Sequence, residues 1–342
     1  MNLDDVIRDL NGAYYRSRQQ KTKQAGLFLA PALHEFEERP VLDLRVFEPP
    51  RLNFSDRNPP IGESFIPGVD PRYPETLYWE KPGIRHPIGY MSSYHMLRGT
   101  ETAGRAQRVF ANGAVSNNLL LCGVMPDELQ TEATEEEHIR LGKSLGAYGI
   151  TTVELSLYDD DPAYYSVPIL FRYLSKMAVY YATGLNVYPY IIGANDFELN
   201  ACCFFLKEMG FRTVICDATG SVKRNKLEEL KRKINRLRGF FQQVIVSNYC
   251  SPRVCYKGIA FMTPTWYKVP REVGCIVWGK ATTQRERDEQ LELGREELML
   301  QSFNNMRHGL NEVALQSTLG EFETREKTNN LVVRTYDQQQ RC

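Results

Sequence analysis

The chain lacks a net charge: 42 Lys and Arg balance 42 Asp and Glu over 342 residues. No overall field therefore draws it to nucleic acid or to an anionic membrane, and any such attraction has to come from a local patch. It also lacks a long apolar run, since no stretch reaches the roughly 18 apolar residues that a membrane-spanning helix needs. The opening residues, MNLDDVIRDLNGAYYRSRQQKTKQ, bring acidic side chains at once and hold no apolar signal core. These absences predict a cytoplasmic protein, in the host cytoplasm if the chain is viral or plasmid-borne. The readiest chemical signatures are missing as well. There is no Walker loop, no GxGxxG, no GxSxG and no HExxH.

What is there is a rhythm. Short β-branched runs recur at Asn118–Val124, Thr151–Leu157, Leu185–Ile192, Phe211–Ala218 and Phe241–Asn248. Each of the first four leads into a segment with helical spacing. Thr134 and Glu137 fit a capping box for a helix to about Ala147. Ile169, Leu170, Tyr173, Leu174, Met177 and Tyr181 line one face of a helix over 165–183 that Gly184 ends. A third helix spans 197–209 before Gly210, and a basic one spans 223–238. Strands alternating with helices predict an α/β fold with a parallel sheet. After Asn248 the rhythm shortens. Gly258–Pro264 and Gly274–Lys280 read as strands too close together for full helices between them. The expectation is a TIM-barrel-like sheet with outer helices, irregular or incomplete at its closing edge.

Three regions follow. Residues 1–117 hold an amphipathic helix, with Val6 and Leu10 on its apolar side, and then an extended Pro-rich N-terminal arm. Pro49-Pro50 and Pro59-Pro60 bar a regular helix or a central strand there, while the arm's aromatics call for packing. The arm lies on its own body or is exchanged with a second copy, making a homo-oligomer. Met91–Leu97 reads equally as strand or helix. Residues 118–309 form the barrel-like domain, with a polar helix at 284–307 near its end. Residues 310–342 form a peripheral tail.

The eight cysteines, in a chain with no secretory signature, predict reduced thiols. Cys250 and Cys255 have marginal spacing for half a zinc knuckle, with Cys216, Cys275 or a histidine needed to complete it.

In a parallel α/β body the functional edge is the C-terminal ends of the strands. The polar residues there are Asp127 and Glu128; Tyr158, Asp159, Asp160 and Asp161; Asn195, Asp196 and Glu198; Asp217 and Thr219; and Asn248, Tyr249 and Cys250. Asp127, Asp159, Asp196 and Asp217 are the candidate catalytic carboxylates, either as hard oxygen ligands of a divalent metal or as an acid and base. Asp217 leads because it tips an otherwise apolar strand. Lys280 is a candidate Schiff-base or phosphate lysine. Tyr158, Asn195, Asn248 and Tyr249 are candidate substrate contacts. The bland reading competes at every position, because Asp, Asn and Thr at strand ends are ordinary helix caps. A separate feature is the segment SVKRNKLEELKRKINRLRG. There Leu227, Leu230, Ile234 and Leu237 line one face, and Lys223, Arg224, Lys231, Arg232 and Arg236 lie on the other. That face is either solvated or a phosphate-binding surface.

The stretch VELSLYDDDPAYYSVPILFRYLSKMAVYYATGLNVYPYI resembles a family of phage, plasmid and bacterial proteins of unknown function, DUF4417. The matching residues are Ser156-Leu157-Tyr158, Asp161-Pro162, Arg172, Gly184 and Val187–Pro189, with Asp127 ending a preceding strand. The resemblance covers about residues 118–250. It departs at 193–196, where the family carries a Trp-containing segment and this chain has Gly-Ala-Asn-Asp. It implies an α/β body and a mobile-element setting, and it brings no activity.

Two functions follow. One is an enzyme using the strand-end carboxylates on a small molecule, nucleotide or nucleobase. The other is a non-catalytic nucleic-acid or assembly protein of a phage or mobile element, using the arm and the basic helix. Convergence of the carboxylates on one crevice separates them.

Overall fold

The computed structural model describes residues 2–24, 49–69, 88–97, 119–126, 129–155, 157, 161–219, 226–249 and 257–263. Eight strands are present among them: β1 Phe65–Val69, β2 Gly89–Ser92, β3 Leu119–Gly123, β4 Gly149–Val153, β5 Asn186–Tyr188, β6 Thr213–Asp217, β7 Gln243–Ser247 and β8 Ile259–Thr263. The helices are α1 Leu3–Gln24, α2 Tyr94–Leu97, α3 Glu132–Ser144, α4 Ala163–Ala182, α5 Asp196–Glu208 and α6 Leu227–Arg238.

The sheet runs β5-β4-β3-β2-β1-β8-β7-β6, and every pairing is parallel. Its two ends meet. Tyr190, just past β5, bridges Ile215 of β6, with backbone bonds of 2.8 Å from Ile191 N to Ile215 O and from Ile215 N to Pro189 O. The result is an eight-stranded, TIM-barrel-like α/β fold. Strands β3, β4, β7 and β8 are buried along their whole length, as a parallel sheet covered on both faces demands.

The sequence rhythm appears as β3 to β7 with α3 to α6 between them. Gly184 and Gly210 end α4 and α5 at φ +80° and +81°, a conformation glycine adopts without a Cβ clash. Helix α3 starts earlier than expected. Its cap is Thr131, whose side chain accepts from Thr134 N at 3.2 Å, while Glu137 pairs with Arg140 instead of closing a box. Tyr180 of α4 accepts from Val153 N at 3.0 Å and donates to Glu135 Oε1 at 2.9 Å, tying β4 to both flanking helices.

The closing edge differs from expectation. The barrel draws β1 and β2 from residues 65–69 and 89–92, inside the region read as arm and ambiguous connector. Pro67 and Gly68 disguise β1, yet Pro67 pairs with Thr263 and Gly68 with Tyr90. Met91–Leu97 is both things at once: the end of β2 and then α2.

The proline-rich segment before β1 packs on the barrel's own body. Phe54 stacks on Phe211 at 4.0 Å, and Tyr188 Oη donates to Pro59 O at 3.1 Å. Asn58 fills the seam below the Tyr190–Ile215 bridge. Its Nδ2 donates to Val187 O and Thr213 O at 2.6 and 2.9 Å, and its Oδ1 accepts from Arg212 N and Thr213 N at 2.7 and 2.5 Å. One amide thus satisfies four backbone groups where β5 and β6 do not reach each other. Outside the barrel, α1 buries Val6, Leu10 and Tyr14 and packs mainly on α4. No helix among the described residues is long and apolar enough to cross a membrane.

Candidate functional site

Asp217 is the last residue of β6 and is half-buried. Its Oδ1 accepts from Ser247 Oγ at 2.9 Å, Thr219 Oγ1 at 2.9 Å and Asn248 Nδ2 at 3.0 Å, and its Oδ2 accepts from Thr219 N at 2.9 Å. The second Nδ2 hydrogen of Asn248 reaches Thr219 Oγ1 at 3.1 Å. Asn248 sits at φ 60°, the one left-handed non-glycine among the described residues. Asn tolerates that conformation better than most residues. Asp217 does not cap α6, which starts ten residues later at Leu227 with Lys226 at its cap. The Thr219 amide on Asp217 Oδ2 closes a local turn.

A second set lies on β3, β4 and β5. Cys122 Sγ stands 3.3 Å from Tyr190 Oη, and both side chains are buried. Burial first, and the Glu154 carboxylate further down, push the Cys122 thiol up to about 11, against its bond to Tyr190. The Tyr190 hydroxyl is raised well above the usual tyrosine value by burial, then by Cys122, Glu154 and Asp217. Glu154 and Asp217 thus act on the same buried phenol from the ends of β4 and β6. Lys233 of α6 lies in this field too. Its ammonium is held above the usual lysine value by Cys216, against burial, with Asp217 and Glu154 adding to the effect. Two carboxylates near the ends of β4 and β6, Glu154 and Asp217, thus lie within electrostatic reach of a buried phenol, and Lys233 is within reach of both.

No family model matches the chain, and no curated protein matches it. Among solved structures it is similar to one from Aquifex aeolicus VF5, described as "Structural study of Project ID from Aquifex aeolicus VF5". The identity is 14% over 74% of this chain and 96% of that one, with a TM-score of 0.39. A likeness that distant carries no functional argument.

The other sequence candidates fall into two groups. Asn195 is the N-cap of α5, its Oδ1 accepting from Phe197 N and Glu198 N at 3.1 and 3.0 Å. Asp196 makes an ion pair at the surface, 2.5 Å from Arg236 Nη1, which holds its carboxyl below the usual aspartate value. Arg236 and Lys231, two of the proposed phosphate contacts, are thus each paired with a carboxylate, Lys231 with Glu228 at 2.8 Å. Arg232 is exposed, and Tyr249 packs on the edge of the core. Asp127, Tyr158, Asp159, Lys280, Lys223 and Arg224 lie outside the described residues, as do Cys250, Cys255 and Cys275. Cys122, Cys202, Cys203 and Cys216 are buried free thiols. Among the described residues no group of three or more His, Cys, Asp or Glu is placed to hold a metal.

Sequence reasoning missed Glu154, Tyr190 and Ser247. Ser247 could have been found, because it ends a β-branched run directly opposite Asp217. Glu154 and Tyr190 carry no local signal. Their meeting depends on how far the backbone runs past β4 and β5 before turning. Glu198 was visible but takes a structural part. It is buried and accepts from Ser166 Oγ, Ala194 N and Asn195 Nδ2 at 2.7, 3.0 and 3.0 Å.

Proposed function

We propose that this chain is an enzyme whose active site is the mouth at the C-terminal ends of β3 to β7. Asp217 is its ligand-holding or acid–base carboxylate, and Glu154 is the second carboxylate. The observation that carries the reading is the way Asp217 is held. Four donors from three residues fix a half-buried carboxylate at the tip of a barrel strand. Such pre-organisation suits a group that must meet a reacting atom in one geometry. A nucleotide or nucleobase is the substrate area, drawn from the mobile-element setting that the resemblance of residues 118–250 implies. Acid–base work fits the described residues better than a carboxylate-bound metal. The competing nucleic-acid or assembly reading rests on the N-terminal arm and the basic helix, where Arg236 and Lys231 already have carboxylate partners.

The test is a thermal-shift screen of nucleobases, nucleosides and nucleotides on the wild-type chain and on Asp217→Ala. The substitution leaves the Ser247 hydroxyl unpaired and costs about 1–3 kcal/mol of stability without unfolding the barrel. The expected result is a ligand that raises the melting temperature of the wild type and not of the variant. A ligand that protects both equally, or none at all, sinks the proposal. In the second case, charge reversal at Lys231, Arg232 and Arg236 with a nucleic-acid binding assay becomes the next experiment.

A further inference from the structure

We infer that the β6–β7 tip recognises its ligand through a pair of adjacent N–H or O–H donors on the ligand, and not through a phosphate or another anion. This rests on the proposed function and specifies the substrate class of that same site.

The cluster owns three side chains able to donate: the hydroxyls of Ser247 and Thr219 and the amide of Asn248. Each is spent inside the cluster. Ser247 and Thr219 donate to Asp217 Oδ1, and the Asn248 amide divides its two hydrogens between Asp217 Oδ1 and Thr219 Oγ1. The acceptors are not spent in the same way. A carboxylate offers about four lone-pair sites. Oδ1 takes three bonds, whereas Oδ2 takes one, from Thr219 N. The carbonyl oxygen of the Asn248 side chain accepts no hydrogen bond among the described residues. The left-handed backbone at Asn248 puts this side chain against Asp217. One carboxylate oxygen and one amide oxygen therefore stay open on adjacent, cross-linked side chains.

Two neighbouring acceptors, one of them charged, match two neighbouring donors. A phosphate placed there would find acceptors and a negative charge. Within the substrate area proposed above, two groups supply adjacent donors. One is the N1–H and exocyclic amino edge of a guanine-type base. The other is the vicinal 2′,3′-diol of a ribose. Guanosine carries both, so it is the probe.

The experiment is isothermal titration of the full chain with guanosine, inosine, 2′,3′-dideoxyguanosine and inorganic phosphate. Guanosine is expected to bind. Inosine lacks the amino group and the dideoxy compound lacks the diol. One of these two is expected to bind roughly tenfold or more weakly, which names the source of the donors. Phosphate is expected not to bind or compete. Asn248→Gly keeps the left-handed backbone and removes the amide, and it should weaken guanosine by a similar factor while the protein melts as a folded chain. Equal binding of all three nucleosides, with loss in Asp217→Ala, overturns the donor-pair inference and leaves the enzyme reading standing. Competition by phosphate overturns the inference in the same way. No binding by any nucleoside overturns the inference together with its nucleoside setting.

Discussion

His138 on α3 is fully buried, with Nε2 2.8 Å from Thr151 O and Nδ1 without a partner among the described residues. The Nε2 hydrogen therefore donates to the carbonyl, and Nδ1 stays a bare acceptor. Burial pushes the ring down to about 4, with the Thr151 carbonyl opposing. An unfolded histidine titrates near 6.5. Between those values the unfolded chain takes up a proton that the folded chain refuses, so stability falls as pH falls. The loss begins below about pH 6.5 and amounts to about 3 kcal/mol by pH 4. Urea midpoints across this range should show that slope in the wild type and a flatter one in His138→Gln. Equal slopes would mean that the ring is not held neutral. The same scale governs Asp217. Its position at a strand tip was legible in the sequence, because an acidic residue closes an apolar run. Of its partners only Thr219 stood beside it there, since Ser247 and Asn248 lie thirty or more positions away and meet it only through the register of β6 with β7.

Elements differ in how far local sequence decides them. Helices α3 to α6 follow their apolar periodicity, and their ends follow Thr, Asn and Gly. The seam between β5 and β6 has no such local cause. Val187 and Thr213 would be left with unmet backbone groups if Asn58 did not enter between them. Asn58→Ala should therefore cost about 3 kcal/mol or more, since four backbone partners are lost and refilling with water is hindered by burial. Hydrogen exchange at Thr213 should quicken more than exchange at Leu121 on β3. Uniform exchange would show that the seam is held some other way. A second element test concerns the packing of α3 on β4. A methyl group at Gly142 would lie 2.4 Å from Ile150 Cγ2. Ile150 is buried and β-branched, with little freedom to yield, so Gly142→Ala should cost about 1–3 kcal/mol in denaturant titration. A neutral result would mean that α3 shifts without penalty.

At the scale of the molecule, removing an outer helix should weaken the fold, whereas removing a strand should abolish it. Deleting residues 1–24 takes away Val6, Leu10 and Tyr14, roughly 5–9 kcal/mol of burial as an upper bound, but no strand of the barrel, and should leave a folded barrel with a lower melting point. Deleting residues 1–69 removes β1 and the Asn58 seam together, leaves β2 and β8 without a shared neighbour, and should abolish the cooperative melt in circular dichroism. If the longer deletion melts like the shorter one, β1 is dispensable and closure is not what stabilises the fold. The sequence by itself determined the class of this protein. Alternating strand and helix periods over 118–248 specify parallel βα units, because each period records which face of a segment must be buried. It also determined that the strand ends would be polar. Tertiary structure alone decided that the barrel closes, that its missing strands come from the Pro-rich arm and the connector after it, and that of the described candidates Asp217 gathers a network while Asp196 pairs with Arg236. Those outcomes depend on pairings between residues far apart in the chain. No local pattern encodes them, because a short strand with a proline in it becomes a strand only when neighbours on both sides offer it partners.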